Sequence, residues 1–235
     1  MSIVYIVSAP SGSGKSTLVN VLFTVVRHLD FSISYTTRPP RGSEKNGKEY
    51  FFVTKEVFEK MIAADEFLEY AKFPAEVGNY YGTARRFLKE AETEGNDLLL
   101  DIDVQGAAQV KEKMPEAVSI FILPPSRKEL EWRLQNRGEN SKEDLDRRLD
   151  TARREIEQYS KYDYILVNDK LERAIDELRA IVLGERVQRS EKQPSDEETR
   201  MLDIAQECRL ERARGRVKPI LDSFQQGVEV PGESS

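Results

Sequence analysis

Apolar residues in this chain fall into short continuous runs that are separated by stretches with helical periodicity. Four runs of strand length lie at residues 3–8, 98–103, 118–123 and 162–168, and the second ends in acidic residues. Continuous apolar runs of this length are typical of strands buried in a parallel sheet. Because helical stretches separate the runs, the pattern predicts an α/β protein with a central parallel sheet and right-handed crossovers.

The helices are predicted from apolar periodicity and from capping residues. Thr54 is a suitable N-cap for a helix from Lys55 to Ala64, and Ser195 with Glu198 has the spacing of a capping box that opens a helix through about Ala213. The other predicted helices cover residues 17–26, 84–94, 104–113, 126–159 with a break near Gly138, and 171–186. Residues 31–53 predict short strands and turns, and residues 66–83 predict extended chain.

The chain changes character after about Val187. The positions Val217, Ile220, Leu221 and Phe224 form a short amphipathic stripe, and the segment just before it is rich in arginine. Apolar stripes of this kind mostly mark packing faces, so we expect a helix that packs on the core or on a second copy of the chain. A contact with RNA, a membrane or a regulator is the alternative.

Composition excludes several classes of protein. The 235 residues carry a net charge of −6, which argues against a general nucleic-acid binder. The single cysteine, Cys208, excludes an internal disulfide and a cysteine-based zinc site. No apolar run is long enough to cross a membrane, and the N-terminus lacks the basic segment of a signal peptide. We therefore expect a cytoplasmic protein.

A glycine-rich loop between the first strand and the first helix has the form of a P-loop. Its residues are Ala9, Pro10, Ser11, Gly12, Ser13, Gly14, Lys15 and Ser16, followed by Thr17. The glycines allow successive N–H groups to point at phosphate oxygens, Lys15 would reach the β- and γ-phosphates, and Ser16 would bind Mg²⁺. Ala9 replaces the leading glycine of the strict motif. A glycine-rich turn that binds nothing is the alternative, and the strand–loop–helix context argues against it.

The second apolar run ends in Asp101-Ile102-Asp103. The carboxyl ends of parallel strands are where ligands bind in α/β proteins, so Asp101 suits a Walker-B role toward Mg²⁺ and its waters. Capping of the next helix is the alternative for these acids, and it fits Asp103 better than Asp101.

Two arginines, Arg38 and Arg41, flank Pro39-Pro40 in the segment SISYTTRPPR. Guanidinium groups in a loop stiffened by proline suit the clamping of a phosphate. Tyr50 and Tyr81 could add hydroxyl donors. A second phosphate-binding site beside a P-loop predicts phosphoryl transfer from ATP to a phosphate-bearing acceptor.

At these residues the chain closely resembles the guanylate kinase family. The matching motifs are the P-loop, SISYTTRPPR (32–41), GKEYFFV (47–53), EFLEYA (66–71), GNYYGT (78–83), LLLDIDVQG (98–106), the RLxxRG segment (133–138) and YDYILVND (162–169). The resemblance implies a P-loop nucleoside monophosphate kinase fold over residues 1–186. Within it we expect a core (1–32, 84–125, 156–186), a GMP-binding subdomain (33–83) and a lid (126–155), followed by a C-terminal extension (187–235).

Carried over by position, the resemblance assigns the acceptor site. It places Arg38, Arg41, Tyr50 and Tyr81 on the acceptor phosphate, and Ser34, Glu69 and Thr83 around the guanine with Asp103 nearby. The chemistry of Glu69 agrees, because a carboxylate accepts from the guanine N1–H and N2–H₂ groups. Adenine has no N1–H and would leave Glu69 unpaired. A solvated strand acid is the alternative for Glu69.

The resemblance also assigns the donor side. Arg137 and Arg148 would bring positive charge to the transferring phosphoryl group together with Lys15 and Arg38, and Arg133 would contact ATP. Arg133 and Arg137 are four residues apart and so would share a helix face. Asn168 falls where the family contacts the donor adenine. Charge-rich helices are more often solvated faces, and this reading stays open for the arginines.

The sequence therefore predicts transfer of the γ-phosphoryl group of ATP to GMP, and to dGMP, with Mg²⁺ as cofactor and no nucleic-acid or membrane partner. Self-association through the extension is one expectation for that segment. Three other functions stay open: an inactive scaffold module of the same family, a kinase for another acceptor, and a plain ATPase or GTPase. Lys15, Asp101 and Glu69 argue against these.

Overall fold

The computed structural model describes residues 2–73, 78–136, 141–190 and 192–225. The strands are β1 (Val4–Ser8), β2 (Leu29–Phe31), β3 (Tyr35–Thr36), β4 (Phe51–Phe52), β5 (Phe67–Phe73), β6 (Asn79–Ala84), β7 (Asp97–Asp101), β8 (Val118–Leu123) and β9 (Tyr164–Val167). The helices are α1 (Lys15–Val25), α2 (Lys55–Ala63), α3 (Arg86–Glu94), α4 (Val104–Lys113), α5 (Arg127–Gln135), α6 (Lys142–Ile156), α7 (Leu171–Gln188), α8 (Asp196–Cys208) and α9 (Leu210–Gln225).

The chain divides into two compact units. The first consists of Met1–Ser8 and Arg27–Ser119, and the second of Ala9–Val26 and Ile120–Ser235. Strands of the parallel sheet lie in both units, in the order β2-β7-β1 in the first and as the pair β8-β9 in the second. Within the first unit β7 pairs in parallel with β1 and with β2, and within the second β8 pairs in parallel with β9. The predicted central parallel sheet is confirmed.

The first unit also contains a four-stranded sheet of order β4-β3-β6-β5. Strands β5 and β6 are antiparallel, and their register places Glu69 opposite Thr83. Phe58 from α2 is fully buried and stacks on Phe67 and on Tyr80, at ring-centroid distances of 4.4 and 5.1 Å. This aromatic packing fixes the sheet that carries three of the predicted acceptor residues, Glu69, Tyr81 and Thr83.

In the second unit α7 packs against β9, which pairs with β8. Every residue of β8 and all but Val167 of β9 are buried, because both strands are apolar except at Ser119, as the continuous runs predicted. Helix α8 packs closely on α7, since a methyl group added at Gly184 would lie 3.2 Å from Cβ of Ala205. The C-terminal helices therefore belong to the core of this unit.

Most predicted elements are present within a few residues of their predicted bounds. Thr54 caps α2 through Val57, and the Ser195–Glu198 capping box is present at the start of α8. The break in the charged helical zone is also confirmed, because α5 ends at Gln135 and α6 begins at Lys142.

One predicted helix is wrong. The helix expected to run from Ser195 through about Ala213 ends at Cys208, and a separate helix begins at Leu210. Arg209 between them has extended backbone, with φ −56° and ψ 139°, and forms an antiparallel bridge with Tyr164. A contact with a distant strand ends the helix, and nothing local in the sequence signals it.

The amphipathic stripe of the last helix is confirmed as a packing face. Val217, Ile220 and Phe224 of α9 are buried within the second unit. Among the residues that the structure describes, no helix combines the length and the apolar character needed to cross a membrane.

Candidate active site

The glycine-rich loop joins the end of β1 at Ser8 to the start of α1 at Lys15. Gly12 and Gly14 have φ values of 92° and 89°, in the left-handed region that favours glycine. Among the described non-glycine residues only His28 and Asp65 have positive φ, so Ala9 has a backbone that suits alanine. The departure from the strict motif at Ala9 therefore costs the loop nothing in conformation.

Neighbouring side chains enclose both glycines. A Cβ at Gly14 would lie 2.3 Å from Nδ2 of Asn168, and a Cβ at Gly12 would lie 2.8 Å from Cδ2 of Leu134. Lys15 and Ser16 occupy the first turn of α1, where N–H groups without helical partners and the helix dipole favour an anion. This geometry is that of a phosphate cradle built from backbone.

Asn168 and Arg133 hold the loop from outside. The buried Asn168 amide donates from Nδ2 to the Ser13 carbonyl at 2.8 Å. Arg133 donates to the same carbonyl at 3.4 Å, to the Asn168 carbonyl at 3.1 Å and to Glu129 at 2.9 Å. Both residues therefore support the loop, a role that the sequence analysis missed. Their predicted contacts with ATP stay predictions.

Of the other two arginines predicted on the donor side, the structure describes Arg148 and not Arg137. Arg148 of α6 donates from Nη2 to Oγ of Ser11 at 3.1 Å, so its guanidinium reaches the glycine-rich loop. Arg137 lies outside the described residues, and α5 ends at Gln135. That Arg137 shares a helix face with Arg133 therefore stays a prediction.

In the first unit Arg38 lies among aromatic rings and is only 6% exposed. Its guanidinium carbon is 5.0 Å from the ring centroid of Tyr50, and the rings of Tyr50 and Tyr81 pack edge to face at 5.8 Å. Burial raises the pKa of Tyr50, which keeps its hydroxyl protonated as a donor. Arg41, in contrast, is exposed. The structure thus groups Arg38 with the two predicted tyrosines.

Glu44, which no sequence motif singled out, forms a two-point ion pair with Arg38. Its carboxylate accepts from Nη1 and Nη2 of Arg38 at 2.7 and 2.8 Å, and from the backbone N–H of Arg41 at 2.7 Å. The hydrogen bond from Arg38 lowers the pKa of Glu44 to about 2, and the carboxylate raises the pKa of Arg38. Glu44 makes the contacts that a phosphate makes with paired donors, and it keeps Arg38 oriented.

The predicted guanine-binding acid, Glu69, is buried and only 4% exposed, which rules out a solvated strand acid. Burial raises its pKa, hydrogen bonding from Thr83 opposes this and the negative charge of Asp103 adds to it, and the net pKa is about 7. A carboxyl group that is half ionised near neutral pH in a buried site is a candidate for a functional residue. Thr83 is fully buried beside it, and Ser34 is half-buried.

The two acids at the carboxyl end of β7, Asp101 and Asp103, differ in position. Asp103 caps α4 by accepting from the backbone N–H groups of Gln105 and Gly106 at 3.1 and 2.8 Å, which confirms the capping alternative for this residue. Asp101 ends β7 and is half-buried. Contact of Asp103 with the acceptor and of Asp101 with a metal stay predictions.

Helix α4 holds β5, the strand that carries Glu69, through contacts that no sequence motif indicated. A Cβ at Gly106 would lie 2.6 Å from Oε2 of Glu69, so only glycine leaves room for the carboxylate. The Gln109 amide accepts from the Tyr70 N–H at 3.2 Å and donates to the Tyr70 carbonyl at 2.8 Å. Lys113 donates to the Leu68 carbonyl at 2.7 Å. The backbone on both sides of Glu69 is thereby fixed.

Comparisons with known proteins agree with this geometry. The guanylate kinase family model matches residues 1–185. A guanylate kinase from Koribacter versatilis (strain Ellin345) is 58% identical over 229 residues, which are 96% of this chain and 97% of that protein. A guanylate kinase from Nitrosospira multiformis is 49% identical over 183 residues, 78% of this chain and 86% of its own length.

A solved structure supports the same assignment. The crystal structure of guanylate kinase from Anaplasma phagocytophilum matches with a TM-score of 0.64 and 34% identity, over 81% of this chain and 88% of that one. The predicted P-loop nucleoside monophosphate kinase fold is confirmed. On the evidence of its glycine-rich loop, its buried Glu69 and these matches, the chain belongs to the guanylate kinase family.

Proposed function

We propose that this chain transfers the γ-phosphoryl group of ATP to GMP, and to dGMP, giving ADP and GDP or dGDP. The observation that carries the choice of acceptor is the buried Glu69 carboxyl with its pKa of about 7. Its two oxygens can accept from guanine N1–H and N2–H₂, and Thr83 opposite it can donate to O6. Adenine would leave this buried carboxylate without a donor, at a large cost in binding.

On the donor side, the loop amides and Lys15 bind the phosphates of ATP. The first turn of α1 adds the positive end of the helix dipole, and Arg148 is held at the loop by Ser11. We propose that Arg148 and Arg137 neutralise charge that develops on the transferring group, and that Asn168 lies beside the adenine. Positioning and charge neutralisation suffice for this reaction, without a covalent intermediate.

On the acceptor side, Arg38, Arg41, Tyr50 and Tyr81 are proposed to hold the phosphate of GMP. Glu44 keeps Arg38 charged and oriented before the acceptor binds. Because this two-point pairing already orders the Arg38 guanidinium, binding of the acceptor phosphate costs less side-chain entropy. The acceptor phosphate then competes with Glu44 or joins it on the remaining donors.

Magnesium is proposed as the cofactor, with Ser16 and Asp101 as ligands, partly through water. When it is bound with ATP, Mg²⁺ would neutralise part of the negative charge of the phosphates. The residues that the structure describes contain no group of three or more His, Cys, Asp or Glu side chains that could hold a metal. A single carboxylate and a hydroxyl fit an ion that takes its other ligands from phosphates and water.

The finer organisation is also part of the proposal. Residues 1–186 form the kinase domain, with a GMP-binding part (33–83) and a lid part (126–155) whose closure would exclude water during transfer. Residues 187–235 form an extension, for which self-association is one expectation. The proposed place of action is the cytoplasm, in the recycling of GMP.

The proposal is tested by measuring the rate of ADP release from ATP and Mg²⁺ with GMP, dGMP, AMP, UMP or no acceptor. We expect turnover with GMP and dGMP only, and a severe loss with Arg38→Ala or Arg41→Ala. Rapid turnover without an acceptor, or with AMP and not GMP, would overturn the proposal. Wild-type kinetics in both arginine variants would remove them from the site.

A further inference from the structure

The two C-terminal helices, α8 and α9, lie beyond the residues that the family model matches. They are a defined part of this chain, because the Koribacter versatilis relative aligns with 96% of it. Besides the packing of α8 on α7, α9 makes one polar contact at each of its ends within the second unit. Each of these ends touches an element that also contacts the glycine-rich loop.

The first contact is made by Arg209, next to the start of α9. Arg209 forms a bridge with Tyr164 of β9, and the neighbouring Leu210 N–H donates to the Asp163 carbonyl at 3.0 Å. The Arg209 guanidinium donates to the buried Glu185 at 2.8 Å and lies 4.2 Å from the ring centroid of Tyr164. The Tyr164 hydroxyl donates to the same carboxylate. Arg209 therefore neutralises a buried charge and fixes α9 to β9.

The second contact is made by Ser223, near the end of α9. Its Oγ accepts from the backbone N–H of Arg127 at 3.0 Å and donates to the Ile220 carbonyl at 2.6 Å. Arg127 is the first residue of α5, where backbone N–H groups have no partner within the helix. Ser223 thus supplies a cap to α5 from a distant helix. The two contacts are separated by about 20 Å of α-helix.

Both elements that α9 contacts reach the phosphate cradle. Strand β9 is followed directly by Asn168, which donates to the Ser13 carbonyl. Helix α5 carries Arg133, which donates to the same carbonyl, and Leu134, whose side chain encloses Gly12. We propose that Arg209 and Ser223 are positioning residues for the donor nucleotide: α9 fixes α5 and β9, and these elements hold the loop in its binding conformation.

Charge pairing favours this role over binding of an external polyanion. The basic residues of α9 are largely paired within the unit: Arg216 with Glu177 at 2.8 Å, Arg212 with Glu207 at 2.7 Å and Lys218 with Asp222 at 2.9 Å. Lys218 lies on the same helix as Ser223, and its exposed side chain pairs with Asp222 one turn further along that helix. Lys218 therefore provides a matched control.

The test compares Ser223→Ala with Lys218→Ala in the full chain. Calorimetry would measure binding of a non-hydrolysable ATP analogue and of GMP separately, with KM for each substrate alongside. Loss of one hydrogen bond should weaken binding of the ATP analogue about fivefold in Ser223→Ala and leave GMP binding unchanged. Unchanged ATP binding, or equal weakening of both ligands, would overturn the proposal. So would the same weakening in Lys218→Ala.

Arg209 needs a gentler variant because removal of its charge takes away the closer of two cationic partners of the buried Glu185, leaving Arg189 at 3.7 Å. Arg209→Lys keeps the charge and loses the planar contact with Tyr164, and Arg212→Lys on the exposed pair is its control. We expect KM for ATP to rise in Arg209→Lys alone, with KM for GMP unchanged. A lower melting temperature with an unchanged KM for ATP would assign Arg209 a purely structural role and overturn its part of the proposal.

The inference rests on the proposed function only in taking ATP as the donor, and the two can fail separately. Wild-type protein that shows no GMP-dependent ADP release refutes the proposed function. Active wild-type protein with an unaffected Ser223→Ala variant refutes the positioning role alone.

Discussion

The two phosphate sites proposed for this chain are built by different means. The loop in the second unit relies on backbone: two glycines with positive φ, a helix N-terminus, and side chains that hold the loop from outside. The acceptor-side cluster in the first unit relies on side-chain charge: Arg38 paired with Glu44, and a buried Glu69 whose pKa is near 7.

This difference predicts different sensitivities. A backbone cradle is damaged by added atoms, because a Cβ has no place to go and the required φ excludes it. A site of balanced charges tolerates small changes in shape but responds to the loss of a charge and to pH. The following variants, from the largest expected effect to the smallest, test this contrast.

The largest effect is expected from Glu69→Gln. The amide keeps the shape of the side chain but presents an N–H₂ group and loses one of the two acceptors that guanine needs. We expect kcat/KM for GMP to fall by roughly 10⁴-fold, as at other sites that lose a buried polar partner, with KM for ATP unchanged. Steady-state kinetics with each substrate varied measures both. A parallel loss for ATP would show that Glu69 does not act on the acceptor alone.

Gly14→Ala should be the most damaging change on the donor side. The new Cβ would lie 2.3 Å from Nδ2 of Asn168, at a φ of 89°. Backbone strain and the loss of the Asn168–Ser13 hydrogen bond together predict a fall in ATP affinity of about 10²- to 10³-fold. GMP affinity should stay at the wild-type value in a calorimetric titration.

Gly95→Ala is the matched control, because Gly95 has a φ of 70° and nothing within 4 Å of the added Cβ. It carries similar strain without the collision. An equal loss of ATP affinity in both variants would mean that strain or global destabilisation, not the collision at the loop, explains the effect.

Gly106→Ala tests the space that α4 leaves for Glu69. The added Cβ would lie 2.6 Å from Oε2 of that carboxylate, so the carboxylate must shift. We expect GMP affinity to fall about 10- to 100-fold, in keeping with the cost of overpacking, and the melting temperature to change little. Gly215→Ala in α9 has open space around the new Cβ and should leave GMP affinity unchanged. Unaltered GMP binding in Gly106→Ala would contradict this role.

The smallest effect is a pH dependence confined to the acceptor. The Glu69 carboxyl has a raised pKa of about 7, so the ionised form that accepts from guanine is lost as pH falls below 7. KM for GMP should rise by about tenfold per pH unit there, while KM for ATP stays flatter. The Arg38–Glu44 pair does not contribute, because Glu44 stays ionised until pH falls toward 2.

The phosphate of GMP itself titrates near pH 6, so Glu69→Gln supplies the baseline for this experiment. Any pH dependence of KM for GMP that exceeds this baseline is due to the titration of Glu69. Identical pH profiles in wild type and Glu69→Gln would refute the assignment.

Much of the fold and of the site could be predicted from local sequence. The apolar runs gave the strands, and Thr54 and Ser195 marked helix starts because capping depends on neighbours in sequence. Arg38, Tyr50, Glu69 and the loop were found because they lie in dense motifs.

What was missed depends on partners far apart in the chain. Arg209 ends a helix because it pairs with Tyr164, and Gly106 is required because Glu69 lies against it. The pairing of Glu44 with Arg38 spans only six residues, yet it depends on the turn that joins them. Such contacts have no periodicity or motif to reveal them.

The central claim is tested most directly by following the label from ATP carrying a labelled γ-phosphate, offered to equal amounts of GMP and AMP. We predict that the label enters GDP, with less than about one part in 10³ in ADP, since Glu69 finds no donor on adenine. Label in ADP or in free phosphate at a comparable rate would contradict the account.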